Sequence, residues 1–216
     1  MEPYDARVDD IADEILTGIG AGLPVGKIRA AIAARARNEE EGLSWPMYDS
    51  VPMLVAGSTN LQFFQVPIGQ GGKTQLDTNM RAAGLIQQGR YYDVYSIGFG
   101  FQNSAAVALL PADAREIVDT GFLTFSIQDR EVFSARLNML PYGGGLTGVG
   151  TLAAGVVEFA ASGIPDHRVR YQMKRKIRIP RNVNFVVTCQ WPVAVTPAVQ
   201  LNAIVWLDGV LWRPRA

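Results

Sequence analysis

From Trp45 onward the chain is written in short apolar or alternating runs punctuated by Pro, Gly, Asn and Asp, the texture of an all-β sandwich or barrel. The clearest run sets Val183, Phe185, Val187, Cys189 and Trp191 against Asn184, Thr188 and Gln190. Side chains alternate across a strand with period two, so this spacing gives one apolar and one polar face. Phe133, Ala135, Leu137 and Met139 against Ser134, Arg136 and Asn138 repeat the pattern. The sequence predicts strands over residues 61–66, 91–101, 105–110, 122–128, 132–140, 152–160, 168–179, 183–191 and 201–212, enough for two sheets. A short helix is predicted over 113–118, with Pro111 before it and Gly121 after it. No internal repeat relates these strands, so residues 45–216 are expected to form one β domain.

Residues 1–44 read differently, as a helical N-terminal arm. Val8, Ile11, Ile15 and Ile19 recur at the spacing of one helical face, while Asp9, Asp10, Asp13 and Glu14 lie elsewhere, which predicts an acidic amphipathic helix. Gly18, Gly20 and Gly22 interrupt it, and Pro24 can open a second helix carried by Ile28 and Ile32 to about Arg37. A helix-turn-helix reader of DNA needs a third packed helix and a basic recognition helix; Lys27, Arg29, Arg35 and Arg37 are its only support here. An assembly arm, anchored by Ile11, Ile15, Ile19, Ile28 and Ile32, is the preferred reading. Residues 1–10 carry four acidic side chains and no apolar run, so neither a secretory signal nor a transit peptide is expected. The weakly polar stretch 146–164 is short for a bilayer span and contains Glu158 and several glycines, which favours a buried or loop segment.

Composition narrows the chemistry. At 216 residues and 48% hydrophobic the chain can bury a good-sized core, and a formal net charge of +0 means that any electropositive function must be regional. The single Cys189 excludes an internal disulfide and a cysteine-rich zinc site, and its place in the alternating run makes it a core thiol.

Two glycine motifs invite a nucleotide reading. Gly69-Gln70-Gly71-Gly72-Lys73-Thr74 ends as a P-loop does, but Pro67 stands where the first glycine belongs and has no N–H to offer a phosphate. A flexible loop is expected instead. Gly143-Gly144-Gly145-Leu146-Thr147-Gly148 matches GxGxxG, with Asp166 downstream, yet the surrounding chain offers strands without the alternating helices this fingerprint requires. A surface loop explains the same glycines. His167, the only histidine, sits beside Asp166 in turn-forming company and lacks the separate segments that build a triad or a metal site. Asp77, Asp93, Asp113, Glu116, Asp119, Asp129, Glu131 and Glu158 could supply a glycosidase-like acid and base, and Trp191, Trp206 and Trp212 keep a sugar-binding reading open.

The most polarised strand runs over 168–179. Arg168, Arg170, Gln172, Lys174, Lys176 and Arg178 share one face, Val169, Tyr171, Met173, Ile177 and Ile179 share the other, and Arg175 alone breaks the pattern. Cations along an edge strand prevent unwanted sheet pairing, and the same row could meet carboxylates of a partner or a polyphosphate backbone. The cationic row itself carries no stacking platform for single-stranded nucleic acid.

A charged helical arm followed by eight or nine strands with long Gly- and Pro-containing loops resembles a viral jelly-roll coat protein. The closing segments, Ile179-Pro180-Arg181-Asn182-Val183-Asn184-Phe185-Val186-Val187 and Trp206-Leu207-Asp208-Gly209-Val210-Leu211-Trp212-Arg213-Pro214, resemble the last strands of capsid proteins from tailless icosahedral bacterial viruses. The resemblance implies an antiparallel jelly roll of two four-stranded sheets and symmetric self-assembly into an icosahedral shell. It also implies a virion location after synthesis in the host cytoplasm, with no enzymatic activity, cofactor or small-molecule substrate. The implied partners are copies of the chain, other capsid proteins, and the genome or an internal membrane at the inner face. Coat-protein arms that pack a genome are strongly basic, whereas residues 1–41 are acidic on balance, which directs this arm toward a neighbouring subunit. The alternative is a carbohydrate- or receptor-binding β-sandwich of the spike or lectin kind.

Overall fold

The computed structural model describes residues 40–87, 89–103, 111–141, 147–149, 159–161, 171–198 and 200–214. Ile11, Ile15, Ile19, Ile28 and Ile32 of the expected arm lie outside these residues, as do the strand expected at 105–110, Gly143 to Gly145, Glu158, Asp166, His167, Arg168 and Arg170. The last residues assigned to the arm are extended, forming β1 (Glu40–Ser44), so strand structure begins ahead of Trp45.

The order continues β2 (Met47–Met53), β3 (Ser58–Phe63), β4 (Tyr91–Asn103), α1 (Pro111–Thr120), β5 (Phe122–Ile127), β6 (Arg130–Arg136), a 3₁₀ turn (Leu137–Met139), β7 (Thr147–Val149), β8 (Phe159–Ala161), β9 (Tyr171–Ile179), β10 (Phe185–Val195) and β11 (Leu201–Pro214). Met1–Leu43 with Trp212–Ala216 make one compact unit, and Ser44–Leu211 make a larger one. In the smaller unit, Arg213 pairs with Glu41.

In the larger unit the strands form a two-layer β-sandwich. One sheet has the order β2-β11-β4-β9; the other has the order β3-β10-β5-β6. The antiparallel pairs are nested. The hairpin β5/β6 lies inside β4/β9, which lies inside β3/β10, which lies inside β2/β11, and successive pairs alternate between the two sheets. A short antiparallel pair, β7/β8, stands apart from both.

Alternation explains the core. Phe185, Val187, Cys189 and Trp191 of β10 are buried, as expected, and they meet Phe63, Leu123 and Phe125 from the same sheet. The facing sheet contributes Tyr92, Val94, Ile97, Ile179, Leu201, Ala203, Val205 and Leu207. Phe185 is the hub: its ring centroid lies 5.5 Å from Phe64 and 6.1 Å from Phe125 in tilted and edge-on geometries. Burial pushes the Cys189 thiol well above its ordinary range and leaves it a small core hydrophobe. α1 spans the predicted helix, and its Ile117 and Ala114 are buried.

Three departures have local causes. β3 runs Ser58–Phe63 rather than over 61–66, because Phe64 adopts a left-handed φ of 67° and turns the chain out of the sheet. β6 ends at Arg136, so the 3₁₀ turn interrupts the alternation and Met139, expected inside, is exposed. Trp191 is a core residue whose indole N–H donates to the Ile117 carbonyl at 2.9 Å, which removes it from any sugar-binding surface.

β11 and β4 approach each other closely at Gly209. A Cβ at Gly209 would stand 2.0 Å from the Asp93 carbonyl oxygen and 2.8 Å from the Tyr92 ring. The Tyr92 hydroxyl fixes the same junction, 2.5 Å from the Trp45 carbonyl oxygen and 2.8 Å from that of Leu207. Burial drives its pKa far upward, so it remains a hydrogen-bond donor. Gly209→Ala should therefore cost about 3 kcal/mol of stability through forced separation of the two strands. Chemical denaturation would check this, and an unchanged midpoint would refute the close approach.

Candidate functional site

β9 and β6 are the end strands of their respective sheets. Between them, among the described residues, lies a groove of about 570 Å³. Its apolar residues are Ile127, Val132 and Phe133 from the β5/β6 hairpin and Tyr171, Met173 and Ile177 from β9. Its charged residues are Arg130 and Glu131 on one wall and Lys174, Arg175, Lys176 and Arg178 on the other. The Phe133 and Tyr171 rings meet at 5.3 Å with a 56° tilt, so an aromatic pair bridges the two walls.

Burial along β9 follows the sequence pattern. Gln172, Lys174, Lys176 and Arg178 are exposed, Tyr171, Met173 and Ile177 are half-buried, Ile179 is buried, and Arg175 is exposed. The cations nevertheless divide into two kinds. The Asp93 side chain on β4 is fully buried, and it receives Lys176 Nζ at 2.6 Å, Arg178 Nε at 2.8 Å and Arg178 Nη2 at 3.1 Å. Arg178 also lies over the Tyr91 ring, 4.5 Å from its centroid, with Arg181 at 5.3 Å. Lys174 and Arg175 have no such partner among the described residues.

The backbone register accounts for part of this division. Asp93 pairs with Arg178 and Val94 with Ile177, but Ser96 pairs with Gln172, which sets residues 173–176 opposite Tyr95 alone. A bulge of this size re-aims side chains and leaves backbone outside the ladder. Lys174, Arg175 and Lys176 sit inside the bulge and Arg178 in the regular part beside Asp93; of the three in the bulge only Lys176, at the end next to Ile177, reaches the carboxylate.

Burial acts to raise the Asp93 pKa, and the Arg178 and Lys176 cations outweigh it, holding the carboxyl below its ordinary range. Because the native group releases its proton more readily than the unfolded one, its stabilisation is complete above the unfolded pKa. It is lost as pH falls through the lower native value.

The P-loop-like stretch has a structural use. Lys73 Nζ sits 2.5 Å from Oδ1 of Asp49, whose side chain is fully buried, and the Phe64 N–H donates to Asp49 Oδ2 at 2.6 Å. Asp49 thus anchors the left-handed turn at Phe64 and the glycine loop together, so the expected flexible loop is tied down by its own lysine. Burial raises the Asp49 pKa against the lowering effects of Lys73 and Phe64. Thr74 and Asp77 close the loop, the Thr74 N–H donating to Asp77 Oδ2 at 2.8 Å, and this hydrogen bond is the main cause of the lowered Asp77 pKa.

Two other expected acid and base candidates have partners at the surface. Asp113 accepts the Ala198 N–H at 2.7 Å, and Asp119 pairs with Arg115 on the same helix at 3.4 Å. The described residues contain no group of three His, Cys, Asp or Glu side chains able to hold a metal ion, and no described helix is long and apolar enough to cross a membrane. The cationic row was legible from sequence; its opposite wall was not, because only the pairing order makes β6 an edge strand. Comparison with protein-family models, curated proteins and solved structures returned no match.

Replacing Asp93 with Asn should cost about 2 kcal/mol at neutral pH, a figure reduced because Lys176 and Arg178 can still turn to solvent. The difference in melting temperature between the two proteins should shrink as pH falls below about 4. A difference that stays constant down to pH 2 would show that the ion pairs contribute nothing.

Proposed function

We propose that this chain is a structural shell subunit, a jelly roll that assembles with copies of itself into an icosahedral virion shell. The single observation that carries the reading is the nesting of β2/β11, β3/β10, β4/β9 and β5/β6 across two sheets. A long antiparallel ribbon folded over itself in this way is the strand order of the double-sheet jelly rolls that recur in viral capsids. Fold alone does not assign function, so the surfaces must support it.

The interior supports a role at the surface. Phe63, Phe125, Phe185 and Cys189 fill the space between the sheets with packed side chains. One end of the sandwich, in contrast, exposes Leu54, Val55 and Val193, with Val193 at 77% relative exposure. Ser58 pairs with Val195, and the Cβ position of Gly57 is 3.4 Å from the Ala194 Cβ, so these two segments make one apolar tip. Exposed apolar side chains on two adjoining segments that themselves carry no charge make a surface suited to a neighbouring subunit. Ile11, Ile15, Ile19, Ile28 and Ile32 supply a second contact in this reading, as anchors of an arm.

Electron microscopy and size-exclusion chromatography of the purified full chain test the proposal. The expected outcome is closed particles for the wild type and folded, dispersed subunits for Leu54→Asp/Val193→Asp and for Ile11→Asp/Ile15→Asp. A wild type that remains strictly monomeric at high concentration would overturn the shell reading.

A further inference from the structure

The groove between β6 and β9 combines features that do not depend on shell assembly, since all of them lie within one chain. Five cations line it, against Glu131 on its rim and Asp93 buried beneath two of them, so it is locally electropositive in a chain of net charge +0. Lys174 and Arg175 lie exposed within the β9 bulge, without an anionic partner among the described residues. Between the charged walls lie the half-buried rings of Phe133 and Tyr171, in contact with each other.

We propose that this groove binds an extended single-stranded polynucleotide. Lys174, Arg175 and Arg130 meet phosphates, and the exposed sides of Tyr171 and Phe133 receive bases. Electropositive walls around aromatic faces are the pairing of features that holds single strands: the charges follow the backbone, and any base has a π-face to stack. A duplex would bring the phosphates but keep its bases stacked inside, leaving the rings unused. An acidic peptide would satisfy the cations yet gain little from the rings. Lys174, Arg175 and Lys176 also oppose the addition of a general peptide strand to this edge. The volume of about 570 Å³ suits one element of a flexible chain. The aromatic pair absent from the cationic strand's own row is thus supplied half by the strand's other face and half by β6.

Fluorescence anisotropy of a labelled oligothymidylate, titrated with the full-length protein at several salt concentrations, tests this directly. Binding should weaken linearly in a plot of log affinity against log salt. Lys174→Ala/Arg175→Ala should make that slope shallower by about 1.4, the change expected for two lost phosphate contacts on a single strand. Tyr171→Leu should weaken binding about tenfold while leaving the slope unchanged, because it removes a stacking face and no charge. Phe133→Leu should act the same way and serves if the Tyr171 variant does not fold.

Three results would overturn the proposal. The first is no binding of the oligonucleotide at submillimolar protein. The second is affinity and slope unchanged in the charge variant. The third is displacement of the oligonucleotide by a polyglutamate peptide together with no effect of either ring substitution, which would assign the groove to acidic peptide instead.

Discussion

The larger unit is organised around a carboxylate that the sheet cannot leave unpaired. Asp93 lies in β4, flanked by β11 on one side and β9 on the other, and its side chain has no access to water. A buried carboxylate without partners would be strongly disfavoured, so β9 must present cations at this register. Arg178 does so with two nitrogens and Lys176 with one. On the opposite flank, Gly209 lets the β11 backbone approach the Asp93 carbonyl. One residue therefore fixes the spacing of three strands, and through them the place of the sandwich's edge.

A second buried acid repeats the logic at the other side of the same sheet. Asp49 of β2 holds Lys73 and the Phe64 amide, which ties the excursion between β3 and β4 back onto the sandwich. That excursion is held further where the Phe64 carbonyl accepts the Gly84 N–H and the Gly84 carbonyl accepts the Phe185 N–H. In both places a lysine that looks available in the sequence is already engaged with a carboxylate. Around the groove, the cations not engaged in this way among the described residues are Lys174, Arg175 and Arg130.

Side-chain alternation was readable because it is a local property. It located Cys189, Val187 and Phe185 in the core, gave β4, β5 and β11 nearly to their ends, and separated the two faces of β9. What escaped depended on partners distant in sequence. Nothing in a phenylalanine signals a left-handed φ, so the turn at Phe64 became legible only with Asp49 beside its amide. Trp191 fell on the apolar face of its run, and the sugar-binding reading kept open for it closes only with its partner, the Ile117 carbonyl, from a helix far away in sequence. The groove was half visible: β9 announced its cations, while Arg130 and Phe133 became part of the site only once pairing put β6 at an edge.

The division of the β9 cations into structural and available ones is the point on which fold and function meet. A double-mutant cycle between Asp93 and Arg178, using Asp93→Asn and Arg178→Met, measures it most directly. Denaturation at neutral pH should give a coupling of about 2 kcal/mol, allowing for the half-exposure of the arginine. That coupling should be lost as pH falls through the lowered native pKa of Asp93, where the carboxyl takes up its proton. Simple additivity of the two costs at neutral pH would contradict the account, since β9 would then be held by something other than Asp93.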